Sequence, residues 1–214
     1  MKPGLWFGIG SAHSTSQIYH DHPEWFIQDK NGEHTNLHNP GNDLYTACMA
    51  TPWYDYIKSK IIEYVEKFDL AYIKLDLSVV TSAYISDVDH SGCYATDHPG
   101  HRDREESFWV IYQRVNDLFD AIHEVAPNLY IDCTFETAGR KQMNDYNLLK
   151  HAEGNWLSNI DDDFPTGSFD IRELAWSRTP ALPSSSLVIG NPRLEGPDVD
   201  FAIDCACHLG ARDG

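Results

Sequence analysis

Short apolar runs alternate with longer amphipathic stretches along the chain, and that alternation predicts strands separated by helices. Residues 4–9 read as a buried strand and residues 44–49 as another. After Pro52, in a first-turn position, Trp53, Tyr56, Ile57, Ile61, Tyr64, Val65 and Phe68 recur at three- and four-residue spacing, the stripe of an amphipathic helix. A strand follows at 71–77, then a polar segment from about 81 to 104. The next helix carries Phe108, Ile111, Tyr112, Val115, Leu118, Phe119, Ile122 and Val125 on one stripe and stops before Pro127. Beyond it come strand-like 129–133, a helix near 144–150, a short strand ending at 156–158, a helix near 171–176, strand-like 186–189 and a helix over about 199–209. Each parallel pairing needs a crossover that lays a helix over the sheet, so this succession predicts a parallel α/β sheet. Neither a phosphate-cradling glycine fingerprint nor a P-loop is present, which favours a (β/α)8 TIM barrel over an open doubly wound sheet. No repeat, low-complexity tract or linker divides the chain, so residues 1–214 are expected to form a single domain.

Composition narrows the function. Sixteen Lys and Arg against 33 Asp and Glu give a formal charge of −17, with the basic residues scattered. Such a surface repels phosphate backbones and anionic lipid, so neither a nucleic-acid nor a membrane partner is expected. No apolar run approaches the roughly 20 residues of a bilayer span. Five cysteines (Cys48, Cys93, Cys133, Cys205, Cys207) lack framework spacing and suit a reducing compartment or buried thiols better than a disulfide scaffold, and a cytoplasmic protein is expected. A secreted or periplasmic form, with an N-terminal region missing from this chain, is the alternative.

Four groups of residues could carry chemistry. Lys74 and Asp76 share one side of an otherwise apolar strand, where charge is costly unless it is paired or used. They read as a buried ion pair or as a carboxylate nucleophile held by a neighbouring cation. Asp161, Asp162 and Asp163 follow a short strand directly; such a run is a helix cap, a weak cation site, or the partner carboxylate of Asp76, since a barrel gathers distant strand ends. Trp6 and Trp156, close to proposed strand ends, offer faces for stacking on sugar rings. His90, His98 and His101 lie among aspartates, but without helical metal-ligand spacing or a cysteine zinc pattern they read as a solvated loop, so no metal ligand and no cofactor is assigned.

With those positions fixed, the sequence resembles the catalytic barrel of the melibiase-type α-galactosidases, glycoside hydrolase family 36, in the same clan as family 27. Gly4-Leu5-Trp6-Phe7 is similar to the family's Gly-Leu-Trp-Phe strand, and Ile18-Tyr19-His20-Asp21-His22-Pro23-Glu24-Trp25 to its Leu-Tyr-x-x-His-Pro-Asp-Trp. Ala71-Tyr72-Ile73-Lys74-Leu75-Asp76 resembles Tyr-Ile-Lys-Trp-Asp, whose Asp is the nucleophile. Asp132-Cys133 followed by Gly139-Arg140 resembles the sugar-binding Ser-Cys-Ser-Gly-rich-Arg loop, and 156–163 falls where the family carries its acid/base.

The resemblance implies a retaining α-glycosidase that hydrolyses terminal α-galactosides through a glycosyl-enzyme on Asp76, with carbohydrate as partner and no cofactor. It implies substrate-binding roles for Lys74, Trp6, Cys133, Gly139, Arg140, Trp156 and Asn159, and leaves room for a homo-oligomer of the full-length protein. The departures are specific. Gly8-Ile9-Gly10 stands where the family has Glu-Pro-Glu after Trp-Phe, and Leu75 replaces its Trp. Pro40-Gly41-Asn42-Asp43 occupies the stretch of its sugar-binding Arg. Asn159 aligns with the acid/base Asp and has no titratable proton. Asp161, or nearly as well Asp162, is then the expected acid/base. The rival reading is a sugar-binding barrel that has lost its acid; a metal-dependent hydrolase built on the His/Asp loop is a third. The resemblance runs from the family's second strand to its seventh, and 214 residues fall short of the roughly 250 of a barrel. The chain is therefore expected to be an incomplete barrel, part of a longer enzyme.

Overall fold

The computed structural model describes residues 2–36, 43–76, 92–134, 146–158, 173 and 176–189. Five strands form one parallel sheet: β1 (Gly4–Gly8), β4 (Tyr72–Asp76), β5 (Tyr130–Cys133), β6 (Gly154–Ser158) and β7 (Leu187–Ile189), in that spatial order. Every neighbouring pair is parallel, and the order across the sheet is the order along the chain. The winding never reverses among the described strands, whereas an open doubly wound sheet reverses at its switch point.

The register fixes which residues share a face. Leu5, Ile73 and Ile131 lie abreast, as do Trp6, Lys74 and Asp132 one residue on. Ile73 and Leu75 are fully buried against α2 (Trp53–Phe68) and α3 (Arg104–Val125), which supply Ile61 and Val65, and Ile111, Val115, Leu118, Phe119 and Ile122. Each such side chain removed from water contributes about 1.5–3 kcal/mol. The opposite face carries Lys74 and Asp76. Asp69 ends α2 in the left-handed conformation, and Asp103 caps α3 by accepting from the Glu106 N–H at 2.9 Å. None of the described helices is long and apolar enough to cross a membrane.

Three sequence expectations are corrected. The apolar run at 44–49 is not a strand of the parallel sheet: β3 (Leu44–Thr46) pairs antiparallel with β2 (Ser11–His13). The two form a hairpin in the connection from β1 to α2, which also holds the short helix α1 (Gln17–Asp21). β1 is not buried; at the end of the described sheet, Leu5 is 36% and Trp6 57% exposed, because only one flank of the strand has a partner there. The loop of His98 and His101 is not solvated, since both side chains are buried with Cys93 and Ala95. His90 lies outside the described residues, as does the helix expected over 199–209. Of the helix expected near 144–150, the described residues show a single 3-10 turn, Leu148–Lys150.

Candidate active site

Asp76 is the last residue of β4, abreast of Gly8 at the end of β1, and the Ile9 N–H donates to its carbonyl at 3.0 Å. A strand end is where a parallel sheet presents functional groups, because the side chain there is anchored by the ladder while the loops beyond shape access. Two strands supply its neighbours. Trp6 on β1 donates its indole N–H to Asp76 Oδ2 at 3.0 Å, and the Lys74 ammonium stands 3.7 Å from the same oxygen. The Lys74 and Asp76 side chains are 15% and 20% exposed, so both are largely withdrawn from water yet reachable from it.

Trp156 on β6 completes the group. Lys74 Nζ lies 3.3 Å from the centre of its ring, a cation–π contact that reaches across the intervening strand β5. Abreast of Lys74 on β5, Asp132 is buried and accepts from the Tyr72 hydroxyl at 2.6 Å, while the Tyr72 and Tyr130 rings stack at 5.8 Å. Among the candidate residues the structure therefore brings together Trp6, Lys74, Asp76 and Trp156. Cys133 lies elsewhere: it pairs in register with Leu75 and is buried in the apolar layer facing the helices. Gly139, Arg140, Asn159, Asp161 and Asp162 lie outside the described residues.

The arrangement holds a carboxylate at a strand end with an N–H donor and an ammonium on one oxygen, the ammonium in turn lying over the face of a second indole. It is suited to nucleophilic or electrostatic work on a neutral polar substrate with apolar ring faces.

One group among the described residues could hold a metal ion: Cys48, Cys93, His98 and His101. The hydrogen bond from Cys48 pulls the Cys93 thiol far below its usual range, helped by His101 and His98 against the effect of burial. Burial, then the contact with Cys93, pushes Cys48 up. Sequence spacing misses this group because Cys48 is remote from the other three; the compact Cys93, His98, His101 run is the signal that was present.

The family model described as Melibiase matches residues 1–172. Among solved structures the chain is similar to the GH36 α-galactosidase of Geobacillus stearothermophilus, at 16% identity and a TM-score of 0.71 over 98% of this chain and 27% of that one. It is similar to the α-galactosidase of Lactobacillus brevis, at 20% identity and a TM-score of 0.67 over 98% and 26%. A third is the α-galactosidase of Thermus thermophilus in complex with stachyose, at 15% identity and a TM-score of 0.59 over 99% and 45%. The chain thus spans about a quarter of the length of the first two. No curated protein matches it.

Proposed function

Starting from the fact that the chain belongs to the melibiase family, we propose that it carries the nucleophile half of a retaining α-galactosidase site that hydrolyses terminal α-galactosides. The observation that carries the reading is Asp76 at the end of β4, with the Trp6 N–H and the Lys74 ammonium on one carboxylate oxygen. The unreversed strand order supports a (β/α)8 barrel as the complete form of the sheet. Stachyose in the Thermus thermophilus neighbour supports a galactoside as substrate.

Asp76 attacks the anomeric carbon as the bond to the leaving oxygen breaks, giving a glycosyl ester on its carboxylate. Asp161, or Asp162, gives its proton to the leaving oxygen and then takes one from the water that cleaves the ester, so the anomeric configuration is retained. Lys74 binds a sugar hydroxyl while holding the carboxylate in place, and the exposed Trp6 ring stacks against the sugar. Gly139, Arg140 and Asn159 are assigned to sugar binding by family resemblance; Cys133, buried in the apolar layer facing the helices, is left out of the sugar site. The test is Asp76→Ala with an aryl α-galactoside, following the anomer first released by NMR. Loss of hydrolysis in a folded variant, and an α-configured first product from the parent protein, are the expected results. Normal turnover by the variant overturns the assignment.

Asn159 favours a second reading, a barrel that binds galactosides and has lost its acid. Calorimetry with galactose decides: binding without turnover of an activated aryl galactoside supports the binder, and turnover removes it.

A further inference from the structure

The connections that leave two neighbouring strands meet in a buried cluster of sulfur and imidazole. Cys48 lies between β1 and α2, just after the β2–β3 hairpin; Cys93, His98 and His101 lie between β4 and α3. Both cysteines are 0% exposed, His98 6% and His101 4%. Cys48 Sγ lies 3.6 Å from His101 Nε2, and Cys93 Sγ lies 3.4 Å from His98 Nδ1. One donor atom from each of the four residues falls within 4.8 Å of every other.

Those separations can be set against a coordination sphere. With Zn–S about 2.3 Å and Zn–N about 2.05 Å at tetrahedral angles, the S···N edges come to about 3.6 Å, S···S to about 3.8 Å and N···N to about 3.3 Å. Both measured S···N contacts match, and the 4.8 Å limit leaves at most about 1.5 Å to close, within reach of side-chain rotation. Hydrogen bonding is a poor alternative account. Thiols are weak donors and acceptors, and His101 Nδ1 has no hydrogen-bond partner, while His98 has the Glu24 backbone as a further neighbour. Two imidazoles and two thiols buried together, with His101 Nδ1 unpaired, are a net cost without something that binds all four.

We propose that Cys48, Cys93, His98 and His101 form a tetrahedral S2N2 site for one zinc ion. Two sulfurs and two nitrogens in this geometry select zinc over the oxygen-seeking cations, and four protein ligands leave no open position for water or substrate. The ion is structural: it pins the β1–α2 connection to the β4–α3 connection. None of its ligands takes part in the galactosidase reading, so the two stand or fall separately. The competing state is a disulfide between Cys48 and Cys93, which would remove both thiolate ligands.

The test uses the whole chain, purified with a non-thiol reductant, incubated with zinc and dialysed against metal-free buffer. Elemental analysis is expected to find one zinc per chain. Cobalt exchanged for it is expected to give the intense visible bands of a tetrahedral ion with thiolate-to-cobalt charge transfer in the near ultraviolet. His101→Ala should lose that spectrum and His101→Cys should restore it with stronger charge transfer. Reduced parent protein that retains only substoichiometric zinc overturns the proposal, as does bound cobalt without charge transfer. Both readouts come from the parent protein, so a variant that fails to fold does not blunt the test.

Discussion

Gly100 lies between His98 and His101, where a methyl group cannot be placed without moving backbone. A Cβ there would sit 2.5 Å from the Ala50 carbonyl oxygen, 2.9 Å from the Ala50 Cβ and 3.1 Å from its Cα. Reaching even the 3.0 Å that real contacts rarely undercut requires a shift of 3.0 − 2.5 = 0.5 Å between main-chain segments. Overpacking of this kind costs about 1–3 kcal/mol. At about 2–4 °C per kcal/mol for a chain of this size, Gly100→Ala should lower Tm by roughly 2–12 °C. Gly32→Ala is the control: its φ is +82°, yet nothing lies within 4 Å of the added Cβ, so it pays only left-handed strain of about 1–2 kcal/mol. Thermal melts followed by circular dichroism, with and without zinc, separate the two. Gly100→Ala should also shrink the rise in Tm that zinc produces, because the displaced segment carries two ligands. Gly32→Ala should leave that rise unchanged. A Gly100→Ala protein as stable as the parent, with the full zinc increment, would refute the close packing of the two connections.

Trp6→Phe keeps an aromatic face but removes the N–H on Asp76 Oδ2. Discounting a charge-assisted bond for the exposure of Trp6, the loss is about 1 kcal/mol, or roughly fivefold in kcat/KM on an aryl α-galactoside; an unchanged value would remove Trp6 from the site. Lys74→Met removes the ammonium 3.7 Å from Asp76 Oδ2 and its contact with Trp156, and kcat should fall on the order of tenfold or more; parent-like kcat would reduce the pair to a structural one. Glu106 accepts from the Arg102 backbone N–H at 2.7 Å and from its Nε at 3.0 Å, and the backbone bond first, then the side chain, holds its carboxyl below the usual glutamate value. A carboxyl depressed in the folded state contributes stability that is present above its unfolded pKa and lost as pH falls through the folded one. Glu106→Gln should therefore lower Tm at neutral pH and flatten the fall in Tm below about pH 4.5, and an unaltered pH profile would show that the bonds do not persist in solution.

The two long helices were legible because a three- and four-residue stripe over 16 or 22 residues has no other solution; Ile61, Val65, Ile111, Val115, Leu118, Phe119 and Ile122 are buried as that stripe requires, whereas Tyr64, Phe68 and Val125 of the same stripes are exposed. Direction was not legible. A run such as 44–49 reads the same whether its partner is parallel or antiparallel, and only Ser11–His13, too short to announce itself, decides. Lys74 and Asp76 were legible as a same-side pair by strand alternation alone. The donor on Asp76 was not, since Trp6 is 70 residues away and reaches it only through the β1–β4 register. The sulfur–imidazole cluster failed for the same reason at greater cost. Three of its members fall within nine residues, but His98 and His101 read as solvated among aspartates, and Cys48, which makes the set a tetrad, comes from another connection.

The cluster and the carboxylate are joined by a short run of contacts, along which the proposed zinc would bear on Asp76 without a place in the reaction. Thr51 donates its hydroxyl to the Cys48 carbonyl at 2.7 Å, and the Trp53 N–H lies 3.3 Å from that hydroxyl oxygen. The Trp53 indole, 2% exposed, donates to the Ile9 carbonyl at 2.9 Å, and the Ile9 N–H donates to the Asp76 carbonyl. Both connections pinned by the ion begin at the strand ends where Trp6 and Asp76 meet. Spatial continuity alone does not establish coupling, so a double perturbation is needed. Trp53→Phe leaves the buried Ile9 carbonyl without its donor, at about 1–3 kcal/mol of stability, and interrupts the run. In the parent protein, chelation should lower kcat/KM on an aryl α-galactoside. In Trp53→Phe, measured at a temperature where both remain folded, chelation should lower it by a smaller factor. Equal factors would show that the ion holds the fold but does not hold Asp76 by this route.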